Sequence, residues 1–193
     1  MKIENKIDLR NVNKEFINKE SKERILWAHE TFKDELFLTT SGGETSAVIP
    51  NLTREVLGIC PPIIFVDTGY FNDCTHNMIK YFENEGYDLR IYKSTLSKKE
   101  IEEKFPNWRN PDSQYFKTVV SIIKHEPLNR GFKELDAKAW LGGIMRYETE
   151  ERKNTDFVQY NKGLYQILPI LDWDYCKINK YLVLNKLPMN RNH

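Results

Sequence analysis

Small hydroxyl residues and two glycines are concentrated in the stretch LTTSGGETSAV, at residues 38–48. Glycines let backbone N–H groups converge on an anion without obstruction by Cβ atoms, and a helix that follows them points its positive end at the same place. This stretch is not the GxxxxGK[ST] phosphate loop, because no lysine follows the glycines. An anion-binding loop and a structural turn both fit, and an inward-pointing Glu44 carboxylate would repel a phosphate. The candidate residues are Thr40, Ser41, Gly42, Gly43, Glu44, Thr45 and Ser46.

A second polar turn, Asp67-Thr68-Gly69-Tyr70, directly follows the apolar run PPIIFV. A carboxylate and a glycine after a buried strand suit hydrogen bonding to a base or a sugar. A capped turn with no ligand is the alternative, and Asp67, Thr68 and Gly69 are the candidate residues.

Basic side chains supply the third group of candidates. Lys124 lies in SIIKHEPLNR and could reach a phosphate or sulfate as a mobile point charge, whereas the adjacent His125 is either a base or a surface residue. Arg146 and Arg152 follow the glycine pair that ends at Gly143, and arginine suits bidentate binding of anions. The alternative for both arginines is a solvated loop in which they pair with Glu148, Glu150 and Glu151.

These candidates lie between alternating strand and helix patterns. Strands are predicted at 35–39, 61–66, 88–92 and 139–145, with an edge strand at 165–171 that tolerates Pro169. Helices are predicted at 21–33 with Ser21 as cap, 45–57, 72–85, 118–135 with an interruption near Pro127, and 174–185 capped by Asp172. Residues 94–116 are expected to form a short helix and a mobile loop.

This alternation is typical of an α/β fold, an open parallel sheet flanked by helices on both faces. Ligands of such sheets bind at the carboxyl ends of the strands. The turns at 39–46 and 67–71 both lie at such ends, which makes one shared site more plausible than two unrelated loops.

Composition limits the classes of function. The 193 residues predict a single domain, with 1–20 as a polar N-terminal arm or first helix, and the net charge of +1 argues against nucleic-acid or membrane-surface binding. Cys60, Cys74 and Cys176 form no CxxC pair, so no zinc site, iron–sulfur cluster or disulfide scaffold is expected. The polar N-terminus and the absence of a long apolar run predict a cytoplasmic protein with reduced thiols.

Four stretches together resemble the phosphoadenosine phosphosulfate (PAPS) reductases, in the adenine nucleotide alpha-hydrolase-like superfamily, over about residues 20–193. They are LTTSGGETSAV, PPIIFVDTGYFNDCTHNMI, IKHEPLNRGFKELDAKAWLGGIMR and GLYQILPILDWDYCKINKYLVLNKLP. The resemblance implies a Rossmann-like three-layer fold in which Ser41–Ser46 cradles the phosphosulfate end and 66–71 holds the adenine side. It also implies that Lys124 approaches the phosphosulfate and that Arg146 and Arg152 belong to an arginine loop.

Two pairs of residues distinguish subgroups of that superfamily. ATP pyrophosphatases favour lysine and aspartate at the positions of Glu44 and Thr45, so these residues argue against ATP activation. Iron–sulfur relatives that use the substrate without a 3′-phosphate carry a Cys-Cys pair where this chain has Val119 and Val120. The resemblance therefore implies PAPS as substrate, no iron–sulfur cluster, thioredoxin or glutaredoxin as reductant, and a homodimer, since relatives often pair.

The chain also departs from the resemblance. The family's Glu-Cys-Gly-Leu-His segment, whose thiolate attacks the sulfur, has no counterpart in this sequence, and Met145 replaces the first arginine of the arginine loop. Cys74 is the cysteine nearest the nucleotide rim in sequence and is the candidate substitute. Three hypotheses follow: a thioredoxin-dependent reductase, a nucleotide-binding module without turnover, and an ATP pyrophosphatase-type enzyme.

Overall fold

A six-stranded sheet lies at the centre of the structure, a computed structural model that describes residues 7–190. The strand order is β3-β2-β1-β4-β6-β5, and every pairing is parallel except that of β5 with β6. This arrangement confirms the predicted α/β fold with an open, mainly parallel sheet. The strands are β1 (Leu36–Thr40), β2 (Ile63–Asp67), β3 (Leu89–Lys93), β4 (Ala139–Leu141), β5 (Val158–Asn161) and β6 (Leu164–Ile167).

Helices cover both faces of this sheet. Side chains alternate along β1, so Leu36 and Leu38 enter a large core with helices from the N-terminal half, whereas Phe37 packs on the other face with Ile64 and Phe132. The helices are α1 (Leu9–Ile17), α2 (Ser21–Phe32), α3 (Val48–Leu57), α4 (Asp73–Asn84), α5 (Lys98–Lys104), α6 (Phe116–Val120), α7 (Glu126–Glu134) and α8 (Tyr175–Leu184). Part of the predicted N-terminal arm is α1, and residues 1–6 of it lie outside the described residues.

The prediction of an edge strand at 165–171 was wrong. β6 lies between β4 and β5, and β5, for which the sequence analysis predicted no element, is the edge strand. Lys162 and Gly163 connect β5 to β6 with φ values of 50° and 89°, so both central residues of this tight hairpin have positive φ. The Asn161-Lys-Gly sequence was the turn signal, and Pro169 lies beyond the strand.

Two predicted helix caps were also wrong. Ser21 is the first residue of α2, and the Glu23 side chain instead accepts the N–H of Glu20 at 2.7 Å. Asp174 caps α8 by accepting the N–H of Lys177 at 2.7 Å, which leaves Asp172 for a different contact.

The helix predicted at 118–135 with an interruption near Pro127 is continuous, and the interruption is a change of helix type just before Pro127. Proline has no N–H to donate, and Pro127 occupies the first turn of α7, where an N–H is not needed. The preceding turn, Ser121–His125, is a π-helix that joins α6 to α7. In the segment predicted as a short helix and loop, the helix is α5, and 105–115 form successive turns.

A buried arginine ties three separate segments together. Arg24 is 1% exposed and donates hydrogen bonds to the carbonyls of Phe16 and Pro169 and to the carboxylate of Asp172. Partial burial alone would raise the pKa of Asp172, but the hydrogen bonds and charge of Arg24 outweigh it and lower that pKa. The ion pair therefore stabilises the fold above about pH 4 and loses its contribution as the pH falls through the lowered pKa.

The turn after β1 depends on a glycine. Gly42 has a φ of +74°, and a Cβ atom built on it would lie 2.6 Å from Cγ2 of Thr75 in α4. Only glycine allows this conformation and this approach without displacing α4.

Replacing Arg24 with methionine should lower the free energy of unfolding by about 3 kcal/mol, because two buried carbonyls would lose their donor. Urea denaturation measures this loss. Arg90→Met is the control, since the Arg90–Asp88 ion pair is exposed and should contribute little. Equal stability of the two variants would contradict the role given to Arg24.

Gly42→Ala should reduce stability by about 1–3 kcal/mol more than Gly58→Ala, because only the first substitution adds a steric clash. Gly58 is a matched control: its φ is +71°, and a Cβ there would meet nothing within 4 Å. Thermal unfolding of both variants measures the difference. Losses of the same size would mean that α4 moves aside at no cost.

Candidate functional site

A cleft of about 470 Å³ opens at the carboxyl ends of β1, β2 and β4. Parallel strands bring their ends to one rim, so this is where the sequence predicted a site. The cleft brings together predicted residues from both polar turns and from the basic group: Thr40, Ser41, Thr45, Ser46, Thr68, Lys124, Gly143 and Arg152. A larger groove of about 840 Å³ between α1 and β5 lies away from this rim.

The loop after β1 offers free backbone donors. Ser46 donates its N–H to Gly43 and Val48 donates to Thr45, which bends the chain into α3. Within residues 7–190, the N–H groups of Gly43, Glu44 and Thr45 have no hydrogen-bond partner. Successive unpaired N–H groups beside hydroxyl side chains form an arrangement that can bind an anion.

Three residues of the predicted loop do not line the cleft: Gly42, Gly43 and Glu44. Ser41, Thr45 and Ser46 do line it, so the residues of the cleft wall here are polar but uncharged. Because Glu44 is not part of this wall, its carboxylate does not present the repulsion that an inward orientation would cause.

The turn after β2 is held by its own aspartate. Asp67 accepts the N–H of Gly69 at 3.0 Å and pairs with Lys93 at 3.2 Å, and neither Asp67 nor Gly69 lines the cleft. Thr68 does line it, between Val66 and Phe71. The carboxylate therefore shapes the turn, and residues on either side of it contribute to the cleft.

The π-helical turn between α6 and α7 brings Lys124 to the cleft. Lys124 is exposed, and none of the ion pairs within residues 7–190 involves it. Its ammonium group is therefore available to an anion. His125, the next residue, is exposed and does not line the cleft.

The two predicted arginines have different positions. Arg146 is not brought to the cleft: its guanidinium donates twice to the carbonyl of Thr155, at 3.1 and 2.9 Å, and stacks on Phe157. Arg152 lines the cleft and pairs with Glu148, a further lining residue. Glu148 also accepts the N–H of Met145 at 3.1 Å, so it holds Arg152 beside the strand end.

Sequence reasoning missed the apolar wall of the cleft. Its side chains are Ile49, Ile64, Phe71, Leu128, Trp140 and Ile144. Gly142 also lines the cleft and packs closely beside Trp140, since a Cβ on it would lie 2.7 Å from the Trp140 ring. The alternation of side chains along β4 was the available signal, but it does not reveal which face meets a ligand.

None of the three cysteines lines the cleft, including the candidate catalytic residue Cys74. Burial raises the pKa of the Cys60 thiol to about 12, so this thiol stays protonated near neutral pH. Cys176 is exposed on α8, and Cys74 is half-buried in the first turn of α4. Within residues 7–190, no three His, Cys, Asp or Glu side chains are grouped to hold a metal, and no helix is long and apolar enough to cross a membrane.

Comparisons with known proteins agree on a family. The model of the phosphoadenosine phosphosulfate reductase domain matches residues 35–192. The phosphoadenosine 5′-phosphosulfate reductase of Synechocystis sp. is 34% identical over 185 residues, which is 95% of this chain and 74% of that protein. The reductase of the same name from Proteus mirabilis is 29% identical over 96% of this chain and 76% of its own length.

Solved structures give the same result for the fold. The phosphoadenylyl-sulfate reductase of Candida auris, in a phosphate complex, superposes with a TM-score of 0.76 at 25% identity, covering 94% of this chain and 87% of that one. The NH3-dependent NAD synthetase of Campylobacter jejuni, at 13% identity, 94% and 75% coverage and a TM-score of 0.59, shares the fold alone. The family model and the relatives each span most of the chain, and the chain therefore belongs to the PAPS reductase family.

Proposed function

We propose that the cleft binds PAPS, with the phosphosulfate end at Ser41–Ser46 and the adenine side at 66–71. The observation that carries this proposal is the set of unpaired N–H groups at Gly43, Glu44 and Thr45 on the same rim as Lys124. Backbone donors and a mobile ammonium group suit a ligand with several negative charges. Arg152 adds a guanidinium group to the same wall.

The apolar part of the cleft supports a purine ligand. Trp140, Leu128 and Phe71 give apolar surfaces suited to a purine, and residues at the end of β2, Val66 and Thr68, line the same cleft. A nucleotide whose base contacts this wall would place its anionic end near the loop after β1. PAPS is favoured over the form without the 3′-phosphate because Val119 and Val120 stand where cluster-binding relatives have cysteines.

Family membership suggests reduction of PAPS to sulfite. In that reaction a thiolate attacks the sulfur, the bond between sulfur and the phosphate oxygen breaks, and adenosine 3′,5′-bisphosphate leaves with the bonding electrons. The resulting thiosulfonate is cleaved by reduced thioredoxin or glutaredoxin, which supplies two electrons and releases sulfite. None of Cys60, Cys74 and Cys176 lines the cleft. We therefore propose that the attacking thiol is none of these three and that it enters the cleft from outside.

The alternative functions have less support. ATP pyrophosphatase chemistry would require a site suited to Mg-ATP, whereas Glu44 and Thr45 replace the lysine and aspartate of those enzymes. A binding module without turnover shares every feature of the cleft and differs only in producing no sulfite. A homodimer, a cytoplasmic location and a single domain over 1–193 remain predictions.

The test of function is sulfite release from PAPS by the 193-residue chain, with and without reduced thioredoxin, alongside binding of adenosine 3′,5′-bisphosphate. We expect saturable binding of the bisphosphate. We expect no release of sulfite from PAPS with Cys60, Cys74 or Cys176 as the nucleophile. Thioredoxin-dependent sulfite that disappears in Cys74→Ser would instead assign the nucleophile to Cys74. Binding of neither nucleotide would contradict the proposed function.

Lys124→Ala should weaken PAPS binding about tenfold, because it removes a cleft-lining cation that has no ion-pair partner within residues 7–190, and the loss should shrink at high salt. Isothermal titration calorimetry measures both effects. Lys133→Ala is the matched control, since Lys133 is exposed on the adjoining α7 and does not line the cleft. Equal affinities of the two variants would exclude Lys124 from the site.

A further inference from the structure

The backbone carbonyl of Gly42 accepts a hydrogen bond from a side chain 148 positions away in the sequence. Asn190, near the end of the described residues, donates from Nδ2 to this carbonyl at 2.7 Å and lies 3.3 Å from Oγ1 of Thr75. We propose that Asn190 is a positioning residue that orients the loop after β1 for the anionic end of the ligand. This inference rests on the proposed function, because it concerns the same loop and the same ligand.

The planarity of the peptide bond explains how Asn190 acts at a distance. Within residues 7–190 no peptide bond is cis, so the carbonyl of Gly42 and the N–H of Gly43 point in opposite directions from one rigid plane. Fixing the carbonyl on one side of the loop therefore fixes the N–H on the other. That N–H is one of the unpaired donors proposed to bind the phosphosulfate.

Asn190 lies on the buried side of the loop after β1. Asn190 is 4% exposed and Thr75 is 1% exposed, and neither lines the cleft. Thr75 is itself held in the first turn of α4, where its N–H donates to Asn72 at 3.0 Å. The carbonyl of Gly42 thus points into the protein, and the N–H of Gly43 points away from the buried amide of Asn190.

Glycine makes this support necessary. A residue without a Cβ rotates its flanking peptides easily, and Gly42 is followed by a second glycine. If the peptide between Gly42 and Gly43 turned over, an oxygen with partial negative charge would replace the N–H donor and repel the anion. A hydrogen bond of 2.7 Å to a buried amide opposes this rotation.

Asn190→Asp tests the proposal because it keeps the shape of the side chain and replaces the amide donor with an acceptor. We expect PAPS affinity to fall at least about tenfold, whereas adenosine 3′-phosphate, which lacks the 5′ group, should bind within about twofold of wild type. A purely structural role would weaken both ligands together. Asn13→Asp is the matched control, since its amide also bonds main-chain groups, at Val158, away from the cleft.

A second measurement does not depend on the variant's stability. The Gly43 amide resonance of ¹⁵N-labelled wild-type protein should shift strongly when PAPS is added and only weakly with adenosine 3′-phosphate. Unchanged PAPS affinity in Asn190→Asp, or a Gly43 resonance that does not move, would overturn the role of Asn190 while leaving PAPS binding intact. Failure of wild type to bind PAPS would overturn both proposals.

Discussion

The close approach of the Gly42 backbone to Thr75 is the constraint on which the rest of the site depends. The chain must leave β1, pass against α4 and enter α3, and only a residue with positive φ and no Cβ fits there. This turn places Ser41 and Ser46 at the cleft and leaves the N–H groups of Gly43, Glu44 and Thr45 without partners within residues 7–190. The anion-binding character of the loop is thus a consequence of how the strand connects to the helix.

The cationic side chains that line the cleft, Lys124 and Arg152, are held in different ways. Lys124 reaches it from a π-helical turn, and such turns are frequent at functional sites because they alter the direction of side chains within a helix. Arg152 is partly neutralised and oriented by Glu148, so it offers donors without adding a free positive charge to the cleft. One mobile cation, one oriented guanidinium and a row of N–H groups together suit an extended anionic group.

Much of this architecture could be predicted from the sequence, because apolar runs followed by polar turns mark parallel strands and their carboxyl ends. The site region at the ends of β1 and β2 was predicted in this way, whereas the family was predicted from the resemblance of four stretches of the sequence. Long-range contacts could not be predicted from the sequence. Asp172 has the residue type of a helix cap, but it pairs with Arg24, which is 148 positions away. Likewise, the sequence does not indicate that Arg146 turns toward Thr155, or that apolar side chains from separate elements form one wall.

The central claim is that the loop after β1 holds the anionic end of an adenine nucleotide. A crystal structure with adenosine 3′,5′-bisphosphate bound tests it most directly. The account predicts the 5′-phosphate within hydrogen-bond distance of the N–H groups of Gly43, Glu44 and Thr45, with the purine against Trp140. A nucleotide bound elsewhere, such as the groove between α1 and β5, or one with its base at the loop and its phosphates at β4, would contradict it.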